Sequence, residues 1–162
     1  MTTLTINANA PAFSLKGLDD KSYTLYKDPA LITAIVFFKT TCPTCQLAWK
    51  YIERLHQAYQ KAGFAVWGIS QHDAKRSAEF ASNNGSTFPI LIDANWHVSK
   101  LYDPDFVPTL FLIESTGKII DRVVAFDKAG FNRVAQTIAA RLDVVVETVA
   151  PENDGAPPFK PG

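Results

Sequence analysis

The chain is predicted to be an α/β domain built on one mixed sheet with helices on both faces. Three observations predict it: two apolar runs, Leu31–Phe38 and Phe64–Ser70, that bracket a helical stripe; a later pair of strand-like runs around Glu114-Ser115-Thr116-Gly117; and a closing helical segment. The run from Leu31 to Phe38 is almost continuously apolar, β-branched or aromatic, which suits a central strand covered on both faces. Leu47, Tyr51, Ile52, Leu55 and Tyr59 follow at helical spacing and stop before Gly63. Phe64–Ser70 then supplies a second buried strand at the distance a right-handed crossover needs, completing a βαβ unit.

Asp73 is placed to cap a helix running to Asn83, with Asn84-Gly85 as its stop, and Phe88–Asp93 forms a short strand. Trp96–Tyr102 forms another short helix, with both Trp96 and Tyr102 expected to pack there. Trp49 and Trp67 are expected in the core. Pro108–Ile113 and Lys118–Val124 make an antiparallel hairpin, and the last helix covers Lys128–Leu142. Ahead of the central strand, Ala12–Leu15 and Tyr23–Leu25 suggest a small added hairpin. The folded domain is expected over 1–149. The proline-rich segment 150–162 holds too few apolar residues to extend a core and is expected to be flexible.

With 162 residues and 47% hydrophobic content, the chain can bury one core. Sixteen basic residues balance sixteen acidic ones, so no field draws the chain to nucleic acid or an anionic membrane. The start, MTTLTINANAPAF, has neither a charged n-region nor an apolar signal run, and no stretch reaches the ~20 apolar residues of a membrane helix. These features predict a cytoplasmic monomer.

The only two cysteines, Cys42 and Cys45, lie in Thr40-Thr41-Cys42-Pro43-Thr44-Cys45-Gln46, where the first strand turns into the helix. A bridge across so short a loop removes little chain entropy, so a link between them is chemical and not a staple. A thiol at a helix start lies near unpaired N–H groups and the positive dipole end, both of which favour thiolate. Cys42 holds that position, and Cys45, one turn further in, is the more buried partner. The spacing puts both sulfurs on one side of the first turn, within reach of a disulfide. Attack by Cys42 on a substrate disulfide, then capture of the mixed disulfide by Cys45, follows from that geometry. Zinc would need two more ligands, and His56, His72 and His97 are scattered singly. No metal site is expected.

The sequence resembles the thioredoxin-fold redoxins of the AhpC/TSA and TlpA/ResA-like group, through "APAFSLKGLDDKSYTL", the strand leading to "CPTC", "GISQHDAKRSAEFASNNGSTFPILIDANWHVSKLY" and "FVPTLFLIESTGKII". The resemblance covers Ala10 to about Leu142. It implies a thioredoxin fold with an N-terminal hairpin extension and an inserted helix and strand. It implies a thiol-disulfide oxidoreductase, in the reducing direction, with Cys42 as nucleophile and Cys45 as resolving thiol. The redox group would be the Cys42–Cys45 disulfide, without organic cofactor, serving a disulfide-containing protein substrate and a thiol electron donor. A cis Val107–Pro108 bond beside the cysteines is implied too, with Pro43, Thr44, Val107 and Pro108 shaping the substrate groove.

The pattern has departures. Thr41 replaces the usual tryptophan before the first cysteine. The buried acid that thioredoxin has six positions before that cysteine falls at Val36, and the glutamate of the TlpA/ResA-like proteins six positions after it falls at Ala48. Lys39, at the strand end, and Thr41 are the candidates for modulating the thiolate. A peroxiredoxin-type peroxidase is an alternative, but its motif needs a Thr or Ser where Lys39 stands and a proline where Ile35 stands. A second alternative is a copper(I)-binding module using both thiolates as soft ligands, with His97 as a further candidate ligand.

Overall fold

The computed structural model describes residues 4–27 and 30–162. A hairpin of β1 (Ser14–Lys16) and β2 (Ser22–Thr24) precedes the main sheet, as expected. Then follow β3 (Ile32–Phe38), α1 (Pro43–Tyr59), β4 (Phe64–Ser70), α2 (Ala74–Asn83), β5 (Ile90–Ile92), α3 (His97–Tyr102), β6 (Thr109–Glu114) and β7 (Ile119–Val124). The chain continues through β8 (Phe126–Asp127), α4 (Lys128–Leu142) and β9 (Phe159–Lys160). Five strands form the central sheet in the order β5-β4-β3-β6-β7. β3 pairs parallel with β4 and antiparallel with β6, so the sheet is mixed.

Every residue of β3 is buried because the sheet is covered on both sides. Ile32, Ala34, Val36 and Phe38 face a core shared with α1 and α4, while Ile35 and Phe37 face a second core with Val98 and Tyr102 of α3. Alternate side chains therefore reach opposite layers, which is why the run shows no polar face. The α1 stripe is buried as predicted at Tyr51, Ile52, Leu55 and Tyr59. A short 3-10 turn then ends at Gly63, whose φ of 109° is left-handed and open to glycine at little cost. Asp73 caps α2 by accepting from the Arg76 N–H at 2.8 Å.

Trp49 and Trp67 are in the core, at 0% and 1% exposure, and Tyr102 is fully buried. Trp96 is not. It stands 45% exposed in a left-handed conformation at φ 58°, where the chain enters α3, so the turn directs its ring outward.

The segment 150–162, expected to be flexible, is seated on the domain. Val149 and Ala150 are buried, and Asn132 of α4 binds the Ala150 N–H and C=O at 2.9 and 2.8 Å. Lys128 donates to the Pro151 carbonyl at 3.0 Å and pairs with Asp154 at 2.5 Å, while the Tyr51 hydroxyl donates to the same carboxylate. Those two partners hold the Asp154 carboxyl well below its ordinary range, the Lys128 contact contributing most. β9 then pairs antiparallel with β8. Composition predicted flexibility because it counts apolar residues, whereas the tail is held by an ion pair and main-chain hydrogen bonds. Among the described residues no helix is long and apolar enough to cross a membrane.

Candidate active site at the cysteine turn

The register of the sheet assembles the site. β3 ends at Phe38, and Lys39 to Thr41 lead straight into α1, so Cys42 lies at the carboxyl end of the central strand. On the other side of β3, Phe37 pairs with Thr109, which brings the preceding Val107–Pro108 loop to the same end of the sheet. That peptide bond is cis, as the family resemblance implied.

Cys42 is the N-cap of α1, with extended backbone at φ −91° and ψ 114°. Its sulfur takes the capping role that an oxygen usually fills, accepting from the Cys45 N–H at 3.1 Å. Pro43 occupies the first helical position, where a missing N–H costs nothing. The same sulfur lies 3.6 Å from the Val107 carbonyl, toward which the thiol points. Cys42 is half-buried, whereas Cys45 has no exposed surface, and both are free thiols. Burial pushes the Cys45 thiol far up, Cys42 adds to that, and the Lys39 N–H and ammonium act in the opposite sense.

Val36 and Ala48, the positions of the absent acids, are both fully buried. Neither offers Cys45 a proton acceptor. The Lys39 ammonium lies over the exposed Trp96 ring, 5.6 Å from its centroid. A cleft lined by Lys39, Gln71, Trp96, Ser99, Phe106 and Val107 shares Val107 with the Cys42 contact. Thr41 is exposed. Thr44 is nearly buried, and its hydroxyl donates to the Pro161 carbonyl at 2.7 Å.

Two participants were not legible in the sequence. Thr40 directs its N–H at 3.3 Å and its hydroxyl at 2.5 Å toward Nδ1 of His72, which fits a neutral ring accepting both. Burial, with Arg76 and Lys39 nearby, holds His72 below its ordinary pKa. Thirty-two positions separate the two residues, and no local pattern links them. The tail is the other, since nothing around Pro161 predicts a contact with Thr44. Among the described residues no group of three or more His, Cys, Asp or Glu side chains could hold a metal ion.

Comparison with known proteins matches this arrangement. The thiol-disulfide oxidoreductase ResA of Geobacillus thermodenitrificans is 31% identical over 119 residues, covering 73% of this chain and 68% of that protein. The solved thioredoxin domain of a thiol-disulfide oxidoreductase from Bacteroides vulgatus superposes with a TM-score of 0.75 at 19% identity, covering 84% of this chain and 99% of that one. A thiol:disulfide interchange protein from Bacteroides sp. gives 0.74 at 17% identity, covering 95% and 96%. These likenesses identify the fold as that of thioredoxin. The family model described as AhpC/TSA matches residues 6–122, from ahead of the first hairpin into β7 and enclosing both cysteines and the cis proline, and the chain belongs to that family.

Proposed function

We propose that the protein is a thiol-disulfide oxidoreductase that reduces disulfides in protein chains. The observation that carries this is the unequal placement of two free thiols on one helical turn: Cys42 half-buried against the Val107 carbonyl, Cys45 sealed beneath it.

The Cys42 thiolate attacks a substrate disulfide. A bond forms from its sulfur to one substrate sulfur, and the other leaves as a thiolate. Cys45 then gives up its proton and attacks the Cys42 sulfur, expelling the second substrate thiolate and closing the Cys42–Cys45 disulfide. Two electrons have passed to the substrate, and a thiol donor returns them. The pair is itself the redox group, so no organic cofactor enters the scheme. Val107 and Pro108 present main chain beside the attacking sulfur, and Pro43 and Thr44 form the other wall. Lys39 is the charge that counters the burial of Cys45.

A pair becomes strongly oxidising when its reduced form is stabilised. Here the Cys42 sulfur accepts the Cys45 N–H and faces a carbonyl, which supports the reducing direction. The potential of the Cys42–Cys45 couple tests this. A value at or below about −220 mV is expected, and one near about −120 mV, as in strongly oxidising pairs, would overturn the direction. A wild type that leaves insulin unreduced but consumes hydrogen peroxide with a thiol donor would replace it with a peroxidase. Against that alternative, the position that needs a hydroxyl holds Lys39, whose side chain lies over Trp96.

The resolving step carries a pH prediction. Desolvation is the first cause of the raised Cys45 pKa, and it comes from burial, not from a charge on Cys42. A thiol below its pKa gains thiolate about tenfold per pH unit, so resolution should accelerate with pH and show no plateau in the neutral range. Stopped-flow release of the second substrate thiol measures it. A rate flat from pH 6 to 8 would mean that another group takes the proton.

A further inference from the structure

The last five residues of the chain lie against the cysteine turn. The Lys128 N–H binds the Pro158 carbonyl at 3.0 Å, Phe159 and Lys160 pair with Asp127 and Phe126, and the Thr44 hydroxyl binds the Pro161 carbonyl at 2.7 Å. Gly162 then meets the cis-proline loop. A Cβ there would come within 2.4 Å of the Val107 carbonyl oxygen and 3.1 Å of Phe106 Cβ. This is the same carbonyl that lies 3.6 Å from the Cys42 sulfur. The segment thus runs from the β8 edge across Thr44 to the main chain that a substrate would have to reach.

The anchoring is uneven along the tail. Its root is fixed where Lys128 and Tyr51 hold the Asp154 carboxylate. Gly155 follows with φ 84° and nothing within 4 Å of an added Cβ, a position with room to turn. Beyond it, Phe159, Pro161 and Gly162 are exposed and bury no apolar core. The end is therefore held by a short ladder and one side-chain hydrogen bond, contacts weak enough to exchange for those of another chain.

We propose that Pro158–Gly162 is a strap that competes with an incoming disulfide-bearing chain for the Val107 main chain, pivoting at Gly155 while Asp154 stays bound. The strap makes the protein select between disulfides: a small one reaches Cys42 past it, and an extended protein chain must displace it. A competitor seated in the site lowers apparent affinity by the fraction of molecules left open. This inference rests on the disulfide reductase function proposed above.

The test compares the full chain with chains ending at Lys160 and at Pro158, and with Gly162→Ala, whose Cβ has no room against Val107. Each is assayed on insulin and on a small aromatic disulfide. The kcat/KM for insulin should rise about 3- to 10-fold in all three, the range that loss of one or two modest hydrogen bonds covers. The small disulfide should change less than about twofold, since it needs no main-chain pairing. An unchanged or lower insulin rate overturns the strap, and so does an equal rise on both substrates, which would make the tail a simple cover over the thiol. Amide hydrogen exchange across Phe159–Lys160 gives a readout independent of activity. Protection in the full chain should fall in Gly162→Ala, and equal protection in both would overturn the strap. A wild type inactive on both substrates would sink the reductase function and leave the strap to be judged by exchange alone.

Discussion

Cys45→Ser is expected to stop the protein after half a reaction, as a covalent adduct with its substrate through Cys42, and Cys42→Ser is expected to leave no exchange above background. The two results differ because the thiols have different tasks. Cys42 is half-buried at the helix start with its sulfur toward the Val107 loop, so it meets the substrate, and a serine hydroxyl there is neither ionised at neutral pH nor a competent attacker of sulfur. Cys45 is sealed and, in the proposed reaction, acts only on the Cys42 sulfur. Its loss spares the first attack and removes the escape from the mixed disulfide. The adduct should be seen by intact mass in a single turnover without added dithiol, because a small dithiol would release it. Serine at position 45 buries a hydroxyl where a thiol was tolerated, which costs about 1–3 kcal/mol if it finds no partner. Cys45→Ala, which buries no polar atom, therefore serves as the companion variant and should trap the same adduct. Multiple turnovers by either Cys45 variant in the absence of dithiol would remove Cys45 from the resolving role.

The sheet was legible because burial on two faces leaves a signature in composition. β3 and β4 are uniformly apolar, and α1 shows its stripe at 3.6-residue spacing, so a βαβ unit with two cysteines at its turn follows from local patterns. The cis Val107–Pro108 bond does not follow from them. X-Pro bonds are mostly trans, and only the family resemblance placed this one. Trp96 was misplaced because an aromatic in a short helical segment suggests packing, whereas the left-handed backbone at that residue turns the ring to solvent beside Lys39.

The contacts of the tail were not legible for a different reason. Proline content and few apolar residues predict no core, and the segment adds none. What holds it are pairs distant in sequence, Lys128 with Asp154 and Thr44 with Pro161, and such pairs leave no periodic trace. The Thr40–His72 contact escapes notice in the same way. In each case the missed information is a polar contact between elements that only the completed fold brings together. Two of them, Thr44 with Pro161 and Thr40 with His72, lie at the cysteine turn, where this chain has apolar residues in place of both family acids.

Trp49→Ala is expected to be the most destabilising single change behind the site, and Trp49→Phe far milder than its loss of volume suggests. Trp49 is fully buried one turn beyond Cys45, with its ring 4.3 Å from Phe38, 5.0 Å from Phe80 and 5.4 Å from Phe88 between centroids. Truncation to alanine leaves a cavity under the cysteine helix and costs about 3–5 kcal/mol. Against a total stability of about 5–15 kcal/mol this is a large share, and the Tm should fall by about 6–20 °C. Phenylalanine keeps the aromatic contacts and removes the indole Nε1, which has no hydrogen-bond partner among the described residues. Burying an unpaired donor costs about 1–3 kcal/mol, close to what the smaller ring gives up, so the two effects largely cancel. The expected net change is under about 1.5 kcal/mol, or under about 6 °C in Tm. Thermal unfolding followed by circular dichroism separates the cases. Equal losses in the two variants would show that the indole nitrogen is satisfied by a buried water and that the ring's polar edge, as well as its volume, holds the cysteine helix in place.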